Sequence, residues 1–123
     1  MKNLFVAISS AGPNRDFSKS TREQPFWDEH AKFIDQLVDD GFILMGGPLV
    51  DEGGSLLVFN ADDENEVRKK LKNDPWTEHG ILKLDSVKRW EIFIDQRKLL
   101  FVCDCLFLLS AIGFSYDCQR DHR

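Results

Sequence analysis

Gln24-Pro25-Phe26-Trp27-Asp28-Glu29-His30-Ala31-Lys32-Phe33-Ile34-Asp35-Gln36-Leu37-Val38-Asp39-Asp40-Gly41 carries the clearest periodicity in the chain. Trp27, Ala31, Ile34, Leu37 and Val38 recur at the three- and four-residue spacing of one helix face. Pro25 is expected to set the first turn and Gly41 to take the C′ position. His30 lies three residues after Trp27 and four before Ile34, so its imidazole projects from the apolar side, away from Asp28, Glu29, Lys32, Asp35 and Gln36. A proton-exchanging ring on that face is either a hydrogen-bonded core residue or a functional one, and position alone favours the first.

Outward from this helix, the chain alternates in type. Phe42-Ile43-Leu44-Met45 reads as a buried strand stopped by Gly46-Gly47-Pro48, where two glycines let the backbone bend or approach another group closely. Asp51-Glu52-Gly53-Gly54 is a turn signal, so this strand and Leu56-Leu57-Val58-Phe59 form an antiparallel hairpin. Towards the amino terminus, Leu4 to Ser9 is a first strand, and Ala11 to Asn14 is loop punctuation. The polar loop Arg15 to Glu23 carries three cations, Arg15, Lys19 and Arg22. Towards the carboxyl terminus, Asp63 and Glu66 open a short helix with a capping-box-like start, and Val67 and Leu71 form its thin apolar stripe. That helix ends at Asn73-Asp74-Pro75-Trp76, because the residue before a proline is pushed out of helical space. Asp74 is thereby presented on a turn beside an aromatic ring. Ile81 to Leu84, and then Trp90, Ile92 and Ile94, read as one or two terminal strands. The order βαββαβ predicts an α+β ferredoxin-like sandwich with an antiparallel sheet.

Composition narrows the function. The 123 residues suffice for one domain with a real core. The net charge of −5, with no basic cluster longer than Arg68-Lys69-Lys70, gives nucleic acid no electrostatic footprint. A small molecule or another subunit is the expected partner. The glycines match neither a phosphate-binding nor a dinucleotide fingerprint, and neither a serine elbow nor a metal triad is present, so no cofactor or metal is expected. The amino-terminal apolar run is too short for a signal peptide, and a cytoplasmic protein is expected.

Three motifs, Trp-Asp-Glu-His-Ala-Lys-Phe-Ile-Asp at 27–35, Gly-Phe-Ile-Leu-Met-Gly-Gly-Pro at 41–48 and Asn-Asp-Pro-Trp at 73–76, together resemble the YCII-related (YciI-like) family of dimeric α/β-barrel proteins. The likeness spans about residues 2 to 95. It implies a homodimer whose two sheets face each other, and catalytic residues that fall here on His30 and Asp74. It also implies proton-transfer chemistry such as dehydrochlorination of a hydroxylated ring. The physical logic of the pair is independent of the family, because a carboxylate bonded to one imidazole nitrogen fixes the tautomer and stabilises the imidazolium. His79, five residues after Asp74, is a rival partner. Trp27, Trp76 and Gly46-Gly47-Pro48 are the expected substrate-binding walls. Two functions follow: a lyase or isomerase that uses His30 as general base, or an accessory dimer that binds a metabolite in the same cleft without turnover.

Residues 97–123 depart from this pattern. Residues 1–96 carry 12 basic and 18 acidic side chains, whereas the remainder carries 4 and 3 and all three cysteines, Cys103, Cys105 and Cys118. Leu99 to Tyr116 is apolar enough to suggest a membrane span, but Asp104 within it argues against one. An added packing element or a poorly ordered extension is expected instead. The cysteines, with His122, imitate a zinc set, but the one-residue spacer between the first two suits zinc poorly, and free thiols are expected.

Overall fold

The computed structural model describes residues 2–97. Its first compact unit ends at Trp90. The first contains β1 (Asn3–Ala11), α1 (Trp27–Asp39), β2 (Ile43–Pro48), β3 (Ser55–Ala61), α2 (Glu64–Lys72), α3 (Pro75–Glu78) and β4 (Leu82–Trp90), with a 3-10 turn at Thr21–Glu23 before α1. The four strands form one antiparallel sheet in the order β2-β3-β1-β4. This is the ferredoxin-like α+β arrangement, with the first and third strands at the centre and the helices over one face.

Strand alternation assigns the sides of the sheet. Phe5 and Ala7 of β1, Phe59 and Ala61 of β3, Ile43 of β2 and Val87 of β4 form the main core with Leu37 of α1 and Val67 and Leu71 of α2. A smaller cluster of Trp76, Ile81 and Leu82, against which Trp27 packs, lies where α3 leads into β4. It fastens the start of α1 to the last strand.

Several boundaries differ from the sequence-based expectation. Pro25 does not set the first turn of α1: the helix starts at Trp27, and its N-cap, Phe26, adopts a left-handed conformation with φ 64°. Gly41 takes the left-handed position after α1, with φ 86°. Gly46-Gly47-Pro48 does not stop β2, since the strand continues through Pro48, which pairs with Ser55. A proline is tolerated there because β2 is an edge strand. Nor is β2 buried throughout. Its register shifts between Ile43 and Met45, and Leu44 is 53% exposed. Asp63 caps α2 by accepting from the Glu66 amide at 2.9 Å, but the Glu66 carboxylate accepts from the Asp62 amide rather than that of the cap. A single terminal strand, β4, closes the sheet at Trp90, and Ile92 and Ile94 lie beyond it. The expectations for the cysteines and the apolar segment Leu99 to Tyr116 lie outside the described residues.

Candidate active site

Asp74 does not sit on a simple turn. It is the N-cap of α3, with Pro75 as the first helical residue, and its Oδ1 accepts from the Trp76 amide at 2.9 Å. Proline suits that position because its fixed φ is already helical and its missing N–H would have no partner there. The cap orients the Asp74 side chain. It is 4% exposed and faces α1, where His30 Nδ1 lies 2.8 Å from Oδ1 and 3.1 Å from Oδ2.

That geometry determines the imidazole tautomer. An ionised carboxylate only accepts, so Nδ1 carries the hydrogen, and in the neutral ring the Nε2 lone pair is the free acceptor. Among the described residues Nε2 has no hydrogen-bond partner. The His30 side chain is 12% exposed, so the imidazole is largely shielded from solvent.

Ring orientation comes from Trp76. Its indole stacks on the imidazole with centroids 3.8 Å apart and planes 7° from parallel. Its Nε1 donates to the Pro25 carbonyl at 2.7 Å, tying α3 to the residue pair that opens α1. Trp27 tilts against both rings, 5.6 Å from Trp76 and 5.9 Å from His30. His30, Asp74, Trp27 and Trp76 thus meet at one place.

The rival pairing does not occur. His79 caps the end of α3 and stacks on Phe26 at 3.8 Å with planes 4° apart, while its carbonyl accepts from the Asn14 side chain. Gly46, Gly47 and Pro48 make no hydrogen bond or ring contact to the His30 cluster among the described residues. The close approach that Gly46 permits is to the neighbouring strand, since a Cβ there would lie 2.4 Å from Leu57 Cδ2. A Cβ on Gly47 would meet open space. An open groove of about 670 Å³ runs along α3 past Asn14, Thr77, His79 and Lys83, but His30 and Asp74 are not in its walls.

Two features escaped the sequence reading. One is α3 itself, although Asp followed by Pro is an N-cap signature that could have revealed it. The other is Gln24, only 3% exposed, whose amide accepts from Asp16 N and donates towards the carbonyls of Asp16, Lys19 and Ser20. It organises the loop before α1 through bonds four to eight residues back along the chain, a role that no apolar periodicity announces. Among the described residues no group of three or more His, Cys, Asp or Glu side chains is placed to hold a metal ion, and no helix is long and apolar enough to cross a membrane.

The fold is a ferredoxin-like sandwich, with an imidazole–carboxylate contact between α1 and the N-cap of α3. The chain belongs to the YCII-related domain family, whose model matches residues 4–91. Among solved structures it is similar to a 5-chloro-2-hydroxyhydroquinone dehydrochlorinase from Burkholderia phenoliruptrix AC1100, solved in complex with 2,5-dihydroxybenzoquinone. The identity is 26%, the TM-score 0.55, and the match covers 72% of this chain and 93% of that one. No curated protein matches significantly.

Proposed function

We propose that the protein is a lyase-type enzyme that moves a proton on a small hydroxylated aromatic or similarly polar substrate, with His30 as general base and Asp74 as its orienting partner. The observation that carries this reading is the 2.8 Å contact of His30 Nδ1 with Asp74, which leaves Nε2 as the acceptor. The similar dehydrochlorinase supplies the reaction type. On a chlorinated hydroxyhydroquinone, Nε2 takes a ring-hydroxyl proton and the imidazolium returns it to the chlorine-bearing carbon, which gives a keto tautomer; Nε2 then takes a second hydroxyl proton, whose electron pair moves into the ring. Chloride then departs with its bonding pair from the carbon that bore it. The net change is loss of HCl, and no oxidant is needed. Asp74 stabilises the imidazolium formed on the way.

Trp27 is the proposed aromatic wall for a flat ring, whereas Trp76, 2% exposed and stacked on His30, backs the imidazole instead of facing a ligand as the sequence led us to expect; Gly46-Gly47-Pro48 is the proposed further wall, with open space beside Gly47. The working unit is residues 1–96, with 97–123 an added segment outside the chemistry. We place it in the cytoplasm as a homodimer formed through the sheet face opposite the helices.

The test is anaerobic chloride release from 5-chloro-2-hydroxyhydroquinone. Wild type is expected to turn over, and His30→Gln to lose roughly 10²- to 10⁴-fold in rate, the usual contribution of a positioned acid–base group. Binding of 2,5-dihydroxybenzoquinone by wild type without any chloride release would instead establish the accessory, non-catalytic reading.

A further inference from the structure

The helix that carries His30 opens without a side-chain cap. α2 and α3 each begin after an aspartate that accepts from an amide two or three residues on, whereas the N-cap of α1 is Phe26, whose side chain has no acceptor. The strap that leads into α1, residues 12–24, is tied internally by the buried Gln24 side chain through its bonds to Asp16, Lys19 and Ser20, and none of these reaches Phe26. Yet Phe26 sets where the His30 turn begins, because its carbonyl accepts from the His30 amide at 2.9 Å. Its backbone is left-handed, with φ 64° and ψ 22°. A bulky aromatic residue stays in that region only where its surroundings hold it there.

The surroundings that hold it belong to α3. Trp76 and His79, three residues apart along α3 and its cap, meet His30 and Phe26, four apart at the start of α1, and the four rings stack in two pairs. Trp76 lies on His30 and His79 on Phe26, both with centroids 3.8 Å apart and planes within 7° of parallel. The backbone of His79 is a firm support: its amide donates to Pro75 O and its carbonyl accepts from Asn14 Nδ2, each at 2.9 Å. Its imidazole makes no hydrogen bond among the described residues and is engaged by the stack. The bond from Trp76 Nε1 to the Pro25 carbonyl fixes the residue before Phe26, and the stack fixes Phe26 itself. We propose that Phe26 and His79 are the positioning pair of this site: their stack stands in for the missing side-chain cap, fixes the turn that carries His30, and so keeps Nδ1 on Asp74 with Nε2 as the acceptor. For the rate, the inference rests on the role of His30 as base; for the geometry, it rests on the stack alone.

The test compares the full-length wild type with His79→Ala and with His79→Phe, which keeps a flat ring to lie on Phe26 but has no ring nitrogen. The ring-nitrogen shifts of His30 at alkaline pH report its tautomer without any substrate, and anaerobic chloride release reports its use as a base. Wild type is expected to hold the Nδ1–H tautomer. His79→Ala should lose that signature as the turn loosens and the imidazole averages over both tautomers. Its kcat should fall about tenfold with KM within about twofold, the split that a displaced catalytic group produces. His79→Phe should restore both readouts. A ring pair that only adds packing would lower the urea midpoint when broken and leave His30 as it was, so wild-type shifts or a wild-type kcat per folded molecule in His79→Ala overturn the proposal. So does a His79→Phe protein that behaves like His79→Ala, or a wild type that itself averages over both tautomers. Should His79→Ala fail to fold, His79→Leu, which fills the space without a flat ring, takes its place under the same criteria. Absence of chloride release by wild type would bring down the lyase reading and leave the His30 shifts to decide this one.

Discussion

Asp74 performs two tasks with one carboxylate, and substitutions can separate them. Oδ1 accepts both from the Trp76 amide, which caps α3, and from His30 Nδ1, which orients the imidazole. Asp74→Ala removes both and should cost about 1–2 kcal/mol of stability, the usual range for losing an N-cap. Asp74→Asn keeps an oxygen for the Trp76 amide, so its urea midpoint should stay close to wild type while chloride release falls at least tenfold. Equal losses of stability and rate in the two variants would show that Asp74 serves only as a cap. Trp76→Phe retains a stacking ring but deletes the bond to Pro25 O, and should lower stability by about 1 kcal/mol in the same denaturation experiment. His30 was legible as a residue because helical spacing put it on the apolar face, and Asp74 because a proline followed it. Their contact was not legible, since it depends on a carboxylate aimed by a four-residue helix across 44 positions of sequence.

The elements around the site depend on close backbone approaches and on the strap's local hydrogen bonds. A Cβ on Gly12 would fall 2.2 Å from the Gly80 carbonyl oxygen, where backbone meets backbone and neither can yield cheaply. Gly12→Ala should therefore destabilise the domain by about 1–3 kcal/mol, the cost of forcing atoms into packed space, and thermal unfolding will show it as a lower midpoint. Acid should act on the strap specifically. Hydrogen bonds from Ser18 keep Asp16, and those from Ser20 keep Glu23, below their ordinary ranges. A carboxyl whose folded pKa is depressed adds stability above its unfolded pKa, near 4 for both types, and loses it as pH falls through the lower folded value. The Ser18 and Ser20 amide resonances should therefore move together below about pH 4 and stay constant from pH 5 to 8. Element order was readable from periodicity and turn residues. The length of β2 was not, because an edge strand admits glycine and proline that a central strand would reject. The start of α1 was also misread, because Phe26 takes a left-handed conformation that bulky residues rarely adopt, held there beside the His79 stack.

At the scale of the whole molecule, the sheet has two apolar sides and, among the described residues, helices over one of them. Val6 and Ile8 alternate with the core residues Phe5 and Ala7, so they project from the opposite face, where Val6 pairs with Val58 and Ile8 with Leu56. Met45 on β2 is also in register with Val58, which extends this apolar band to the edge strand. A band of branched side chains across neighbouring strands calls for a cover, and in the proposed homodimer the same band of a second copy provides it about a two-fold axis. A stable interface of that kind buries roughly 1,200–2,000 Å² in total, within reach of one face of a four-stranded sheet. Sedimentation velocity should accordingly give a dimer at micromolar concentration. Ile8→Lys, which sets a charge at the centre of the band without touching the helix-covered core, should shift it to monomer while far-UV circular dichroism keeps its wild-type shape. A wild-type monomer at that concentration, or an Ile8→Lys protein that remains dimeric, would place the interface elsewhere. Because His30 and Asp74 lie on the helix side of the chain, the monomeric variant should also retain the ring-nitrogen resonances of their hydrogen bond, whereas loss of those resonances would mean that the second copy helps to hold the site.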